Sequence, residues 1–130
     1  IAYEYRIGSA QKVPARALEI LRAYEADPRP KVYITIAGRS NALSGFTDAQ
    51  VAAPVIACPP VSSSFGGADI FSSLRMPSGV APAVVLEPAA AALLAAKIFS
   101  LSFSEIRAKV TALQAANRDK LLADDADVSG

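Results

Sequence analysis

The sequence predicts an α/β domain with a mostly parallel sheet, and three observations support this. Short apolar runs recur at Val32–Ala37, Pro54–Cys58 and Ala83–Leu86, with helical patterns between them. The first of these runs is apolar at almost every position, which is typical of a strand buried on both faces. Hydrophobic residues make up 52% of the chain and charged residues 19%, which favours a large core over disorder. Alternating strands and helices favour right-handed crossovers.

The first third of the chain contains one further strand pattern and one helix pattern. Ile1–Ile7 alternates apolar and polar residues, which predicts a half-buried strand. Pro14 suits the first turn of a helix. The inward face of that helix is predicted to carry Val13, Ala17, Ile20, Leu21 and Tyr24. The sequence Asp-Pro-Arg-Pro at 27–30 predicts the end of the helix.

Helical patterns in the rest of the chain are weaker in the middle and stronger at the end. We expect a short helix at about Asp48–Ala53 and another capped by Asp69. Pro88–Phe99 is rich in Ala and Leu on most sides, which predicts a helix buried in the core or against a partner chain. Ser102 and Glu105 form the pattern of a capping box for a last amphipathic helix, and the polar tail after it is expected to fray.

Composition limits the classes of function. The 13 basic and 12 acidic residues are mixed along the chain, so no nucleic-acid or membrane partner is expected. The absence of histidine excludes a His-containing zinc site and any Ser–His or Cys–His pair. Cys58 is the only cysteine, so no intramolecular disulfide forms, and a reducing, cytoplasmic location fits. The first residues lack the pattern of a signal peptide.

Three loops rich in Gly and Ser follow the first three predicted strands: IGSAQK, AGRSNALSG and CPPVSSSFGG. The carboxyl ends of parallel strands lie at one edge of a sheet, where ligands bind. Loops of this composition suit an anionic ligand such as a phosphate, although each alone is also typical of an ordinary turn. Arg39 is either a solvated side chain or the partner of an anion, and Cys58 fits a small buried hydrophobe better than a nucleophile.

The segments IGSAQK, AGRSNALSG, ACPP and SSLRMPSG, in this order between Ile7 and Phe99, resemble one family. They are similar to the class II, vertebrate-like phosphoribosylaminoimidazole (AIR) carboxylases. Ala42 stands where the sister class I mutases have a histidine. The resemblance implies a flavodoxin-like α/β/α sandwich and a tetramer or octamer. It also implies one domain over residues 1–130, with an α/β core at 1–100 and a C-terminal helix at 101–125 that packs on a neighbouring subunit.

The resemblance also implies a reaction and a set of site residues. Carbon dioxide and 5-aminoimidazole ribonucleotide give 4-carboxy-5-aminoimidazole ribonucleotide, with no cofactor and no metal. Ser40 matches the position that helps to hold carbon dioxide, and Lys12 suits the phosphate or the new carboxylate. The remaining residues matched to the site are Ser9, Ala10, Gly38, Arg39, Asn41, Leu43 and Met76, with Pro77 beside the last.

The sequence departs from the family pattern at two places. The family has a proton-transfer histidine where this chain has Gln11, and an amide does not titrate near neutral pH. Impaired turnover is therefore expected, whether the substitution is engineered or natural. The chain also begins after the strand and phosphate loop with which the family starts, so either an N-terminal segment is missing or another chain supplies it. A silent nucleotide-binding homologue or assembly subunit is the alternative, and a generic flavodoxin-like binding domain is a third.

Overall fold

The structure is a computed structural model and describes all 130 residues. The chain divides into two compact units, Ile1–Ala91 and Ala92–Gly130. Helices alternate with strands of a parallel sheet, which confirms the predicted α/β class. The elements are, in chain order, α1 Pro14–Glu25, β1 Tyr33–Thr35, α2 Leu43–Asp48, β2 Val55–Ala57, a 3₁₀ helix Ser64–Ile70, α3 Phe71–Leu74, β3 Ala83–Val84, α4 Pro88–Phe99 and α5 Ser104–Ser129.

The sheet has three parallel strands in the order β1-β2-β3. Ile56 of β2 lies between Ile34 of β1 and Ala83 of β3 and is fully buried. Each strand lies within its predicted run and is shorter than it. The prediction that the first run is buried on both faces is wrong for this chain, because Ile34 is 41% exposed while Thr35 is buried.

The segment Ile1–Ile7 forms no strand, so this prediction is wrong. A strand exists only through hydrogen bonds to a neighbour, and β1 pairs with β2 alone. Tyr3 and Tyr5 are largely exposed, although their rings meet edge to face with centroids 5.2 Å apart. The alternation of the sequence shows which side chains share a face, but it does not supply the partner strand.

Helix α1 follows its prediction in the middle of its apolar face but not at the two ends, because Val13 precedes the helix and is 48% exposed and Tyr24 is only half-buried. Pro14 occupies its first turn, and the side chains of Ala17, Ile20 and Leu21 are buried. Near its end, Glu25 accepts a hydrogen bond from the Tyr33 hydroxyl at 2.9 Å, which joins α1 to the start of β1.

The two short helices of the middle region differ from their predictions. The first is α2, which begins directly after the AGRSN segment and ends at Asp48, where the predicted helix begins. It starts early because the Asn41 side chain accepts the Ser44 N–H at 3.2 Å and so satisfies a free donor of the first turn. Asp69 caps no helix, because its carboxylate accepts the Arg39 N–H instead.

Helices α4 and α5 have the predicted helical type but not all of the predicted details. Helix α4 has the predicted bounds, yet only Ala91 and Ala95 are buried within this chain. The capping box is wrong: α5 begins after Phe103 and no side chain caps it. The tail does not fray either, since the helix continues to Ser129. None of the helices has both the length and the apolar character needed to cross a membrane.

Candidate active site

The loops after β1 and β2 meet at the carboxyl edge of the sheet, as parallel pairing predicts. They form the walls of an open cleft of about 420 Å³. The residues that line this cleft are Gly38, Arg39, Pro60, Val61, Ser62 and Ser63. The Arg39 guanidinium and the hydroxyls of Ser62 and Ser63 thus lie beside the apolar side chains of Pro60 and Val61, which suits a ligand with both an anionic group and an apolar part.

The N-terminal loop reaches the same edge through Gln11. Its side-chain amide donates a hydrogen bond to the Ser40 hydroxyl at 3.3 Å, across 29 positions of sequence. Ser9 shapes this loop, because its hydroxyl accepts the Lys12 N–H at 3.1 Å and its carbonyl accepts the Val13 N–H at 3.1 Å. The side chains of Gln11, Lys12 and Ser40 are exposed. The structure thus brings together the two residues that the family resemblance marks as catalytic positions, although neither is among the residues that line the cleft.

Behind this surface lies a buried hydrogen-bond network centred on Asn41. Its amide nitrogen donates to the hydroxyls of Ser44 at 2.7 Å and Ser73 at 2.9 Å. The Ser44 hydroxyl also bonds to that of Thr35 at 2.8 Å, which connects the network to β1. Every buried side-chain nitrogen and oxygen has a partner. Asn41 therefore supports the loop from inside, and its contact with substrate stays a prediction.

The backbone of the AGRSN loop is also held from α3 and the residues before it. Asp69 accepts the Arg39 N–H at 3.2 Å, and the Ser72 hydroxyl accepts the Asn41 N–H at 2.9 Å. Arg39 has φ +63°, in the left-handed region that residues with a Cβ rarely adopt. The Ser40 N–H lies between these anchors and donates to no group of the chain.

The glycine at position 38 permits a close approach of two strand ends. A Cβ there would meet Cγ of the Pro60 ring at 3.0 Å, tighter than ordinary contacts. The same holds for Gly45 in α2, where a Cβ would lie 2.9 Å from Sδ of Met76. Met76 thus packs against Gly45 of α2, near the start of that helix at Leu43. Neither Met76 nor Leu43 lines the cleft.

Cys58 is the buried end of the β2 run. Its thiol is 3.7 Å from the Leu86 carbonyl oxygen, to which it donates. Burial, and to a lesser degree the charge of Glu87, raise the pKa of the Cys58 thiol. A thiol that holds its proton is a poor nucleophile, which agrees with the structural role expected for it.

Sequence reasoning missed the residues that hold the site from behind. Ser72 and Ser73 belong to the SSLRMPSG pattern, which assigns them no role, and the sequence predicts that Asp69 caps a helix. Their partners lie about 30 positions away, so no local pattern could identify them. The only available signal was the cluster of small polar residues beside a loop expected at the ligand edge.

A parallel sheet with ligand-accepting loops at its carboxyl edge defines a small-molecule site of the open-sheet α/β class. The family model described as AIR carboxylase matches residues 1–120. The chain is 59% identical over 125 residues to the phosphoribosylaminoimidazole carboxylase of Treponema denticola, covering 96% of this chain and 79% of that protein. The corresponding protein of Archaeoglobus fulgidus is 54% identical, over 95% of this chain and 67% of its own.

The fold comparison agrees with the sequence comparison. The crystal structure of Treponema denticola PurE superposes with a TM-score of 0.96 at 58% identity, covering 98% of this chain and 80% of that one. The chain belongs to the AIR carboxylase family. The family predicted from the loop motifs is therefore confirmed.

Proposed function

We propose that this chain carboxylates 5-aminoimidazole ribonucleotide with carbon dioxide, giving 4-carboxy-5-aminoimidazole ribonucleotide in purine synthesis. Membership of the family and the names of its relatives support the reaction. The observation that carries the proposal for the site is the 3.3 Å contact between Gln11 and Ser40. It brings the family's proton-transfer position next to the serine expected to hold carbon dioxide.

The chemistry needs positioning and charge stabilisation. The electron-rich ring uses a C4 electron pair to form a bond to the carbon of carbon dioxide, and one C=O π pair moves onto oxygen. The C4 proton then leaves to a base and the ring regains its aromatic electrons. The Ser40 hydroxyl and its free N–H would donate to the new carboxylate, as hydrogen-bond donors do where charge develops. Holding both reactants in register supplies much of the remaining rate.

Cations and hydroxyls around the cleft would bind the rest of the nucleotide. Arg39 lines the cleft and makes no ion pair within the chain, so its guanidinium is available for a phosphate. Lys12 is exposed in the loop next to Ser40 and suits the phosphate or the product carboxylate. Gly38 lines this cleft, Ser9 and Ala10 would shape the pocket beside it, and Leu43 would support it as the first residue of α2. Met76 would lie near the base or at a subunit contact.

Gln11 limits the final step. Its amide can donate a hydrogen bond but cannot take the C4 proton near neutral pH. General acid–base catalysis typically contributes about 10²–10⁴-fold, so slow turnover by this chain is expected. The same observation favours a second candidate function, a catalytically silent homologue that binds the nucleotide or serves only in assembly.

Calorimetry with 5-aminoimidazole ribonucleotide, followed by a turnover assay with bicarbonate, separates the candidates. Binding with slow product formation supports the impaired carboxylase. Binding with no product above the uncatalysed rate favours the silent homologue. A chain that does not bind the nucleotide contradicts the carboxylase and the silent nucleotide-binding homologue, and only the role in assembly then stands.

We further propose a homo-oligomer, a tetramer or octamer, in the cytoplasm. No residue of α5 is buried within the chain, and Leu113, Leu121 and Leu122 on it are largely exposed, which supports packing of residues 101–125 on a neighbouring subunit. The one cysteine is free, which suits a reducing compartment. Light scattering of the chain beside Leu121→Lys tests the assembly: an unchanged mass for both, equal to one subunit, contradicts it.

A further inference from the structure

The segment from Asp69 to Ser72 holds two backbone N–H groups of the loop that carries Ser40. The Asp69 carboxylate accepts the Arg39 N–H at 3.2 Å. The Ser72 hydroxyl accepts the Asn41 N–H at 2.9 Å and donates its proton to the Asp69 carbonyl at 2.7 Å, with the Arg39 carbonyl farther away at 3.3 Å. The contacts with the loop span 30 to 33 positions of sequence, so they depend on the fold.

The loop needs such anchors because its backbone is strained. Arg39 carries a Cβ, yet its φ is +63°. A residue in this region keeps its conformation only where the surrounding structure determines it. The backbone N–H groups on both sides of Ser40 are bonded to the 69–72 segment, that of Arg39 to the Asp69 carboxylate and that of Asn41 to the Ser72 hydroxyl. Without those partners, relaxation at Arg39 would turn the Ser40 peptide group away.

We propose that Asp69 and Ser72 are positioning residues for the active site. We name this pair of residues the loop anchor. Like Ser40 they lie outside the set that lines the cleft, and they act on Ser40 through the N–H groups of the residues on either side of it. By fixing Arg39 they keep the Ser40 N–H free and its hydroxyl beside Gln11. The role in catalysis rests on the proposed function, whereas the conformational role does not.

Asp69→Ala tests the anchor, with Asp69→Asn as the conservative variant. An asparagine side-chain carbonyl can accept the Arg39 N–H without carrying the charge. We therefore expect Asp69→Asn to keep the loop conformation that Asp69→Ala loses. Asp48→Ala is the matched control, because its carboxylate accepts a comparable backbone bond from the Ala81 N–H at 2.7 Å, away from the cleft. Each variant is made in the full chain.

Two measurements are made on each variant. Amide hydrogen exchange follows the Arg39 and Asn41 N–H groups, and calorimetry gives the Kd for 5-aminoimidazole ribonucleotide. We expect Asp69→Ala to speed exchange of the Arg39 amide about tenfold and to weaken binding about tenfold. Asp69→Asn should lie within about threefold of the parent, and Asp48→Ala should match the parent in both.

The outcomes separate the anchor from the function. If Asp69→Ala and Asp48→Ala change loop exchange equally, the anchor is wrong. If Asn behaves like Ala, the charge of Asp69 acts and its backbone hydrogen bond does not, which also overturns the proposal. If the parent binds no nucleotide, the proposed function fails, while the exchange data still decide whether Asp69 holds the loop.

Discussion

Removal of the Asn41 side chain should destabilise the chain more than any other single change to the site. The side chain is 4% exposed and takes part in three hydrogen bonds, two to Ser44 and one to Ser73. Each is worth about 1 kcal/mol, and a buried group left without its partner adds a further ~1 kcal/mol. We therefore expect Asn41→Ala to lower the free energy of unfolding by about 3–4 kcal/mol. Since whole domains are stable by only ~5–15 kcal/mol, this loss is large.

Denaturant unfolding measures this loss directly. The midpoint should fall while the m-value stays constant, and the melting temperature should fall by roughly 10 °C. Gln50→Ala is the matched control, because Gln50 carries the same amide group but is exposed and its side chain makes no hydrogen bond. A loss below about 1 kcal/mol for Asn41→Ala, or an equal loss for both variants, would refute the structural role of the network.

Three further results are expected. Burial, and then the hydrogen bond to the Glu25 carboxylate, raise the pKa of Tyr33. The contribution of Tyr33 to the free energy of unfolding is therefore complete below a pH of about 10 and is lost as the pH rises further. Tyr33→Phe should therefore cost about 1 kcal/mol at pH 7 and less at pH 10.5, whereas Tyr5→Phe should cost nothing at either pH; a gap for Tyr33→Phe that does not narrow contradicts this. The Cys58 thiol should react with a disulfide reagent at least tenfold more slowly in the native chain than in urea, and equal rates would show that it is accessible. Gly38→Ala should change the free energy of nucleotide binding more than the free energy of unfolding, because the new methyl group pushes on the Pro60 ring that lines the cleft. An unchanged Kd by calorimetry would count against that cleft as the binding site.

Local patterns predicted the elements whose causes are local. The proline of α1, its apolar face and the apolar runs of β1 and β2 all lie in the sequence where the structure has them. The segment Ile1–Ile7 failed for a different reason: a strand needs a partner, and pairing depends on distant residues. The early start of α2 depends on one side chain, Asn41, whose dual role in the loop and the helix no periodicity shows.

The site was predictable at the level of loops, and the supporting contacts were not. Parallel connectivity indicated that the loops after β1 and β2 would meet, and the cleft that they share agrees with this. The contact of Gln11 with Ser40 does not follow from that argument, because the segment before the Gln11 loop forms no strand. Asp69 could not be assigned from the sequence, because a carboxylate before a helix is typical of a cap. Its actual partner is the strained Arg39 backbone, 30 positions away.

The rate of carboxylation by Gln11→His beside the parent chain tests the central claim most directly. Formation of 4-carboxy-5-aminoimidazole ribonucleotide from the nucleotide and bicarbonate is followed in both, with Gln50→His as a control that adds an exposed imidazole elsewhere. We predict that Gln11→His is faster by about 10²-fold or more while the control equals the parent, because only a titrating group next to Ser40 can take the C4 proton. Equal rates for Gln11→His and the parent would contradict the claim.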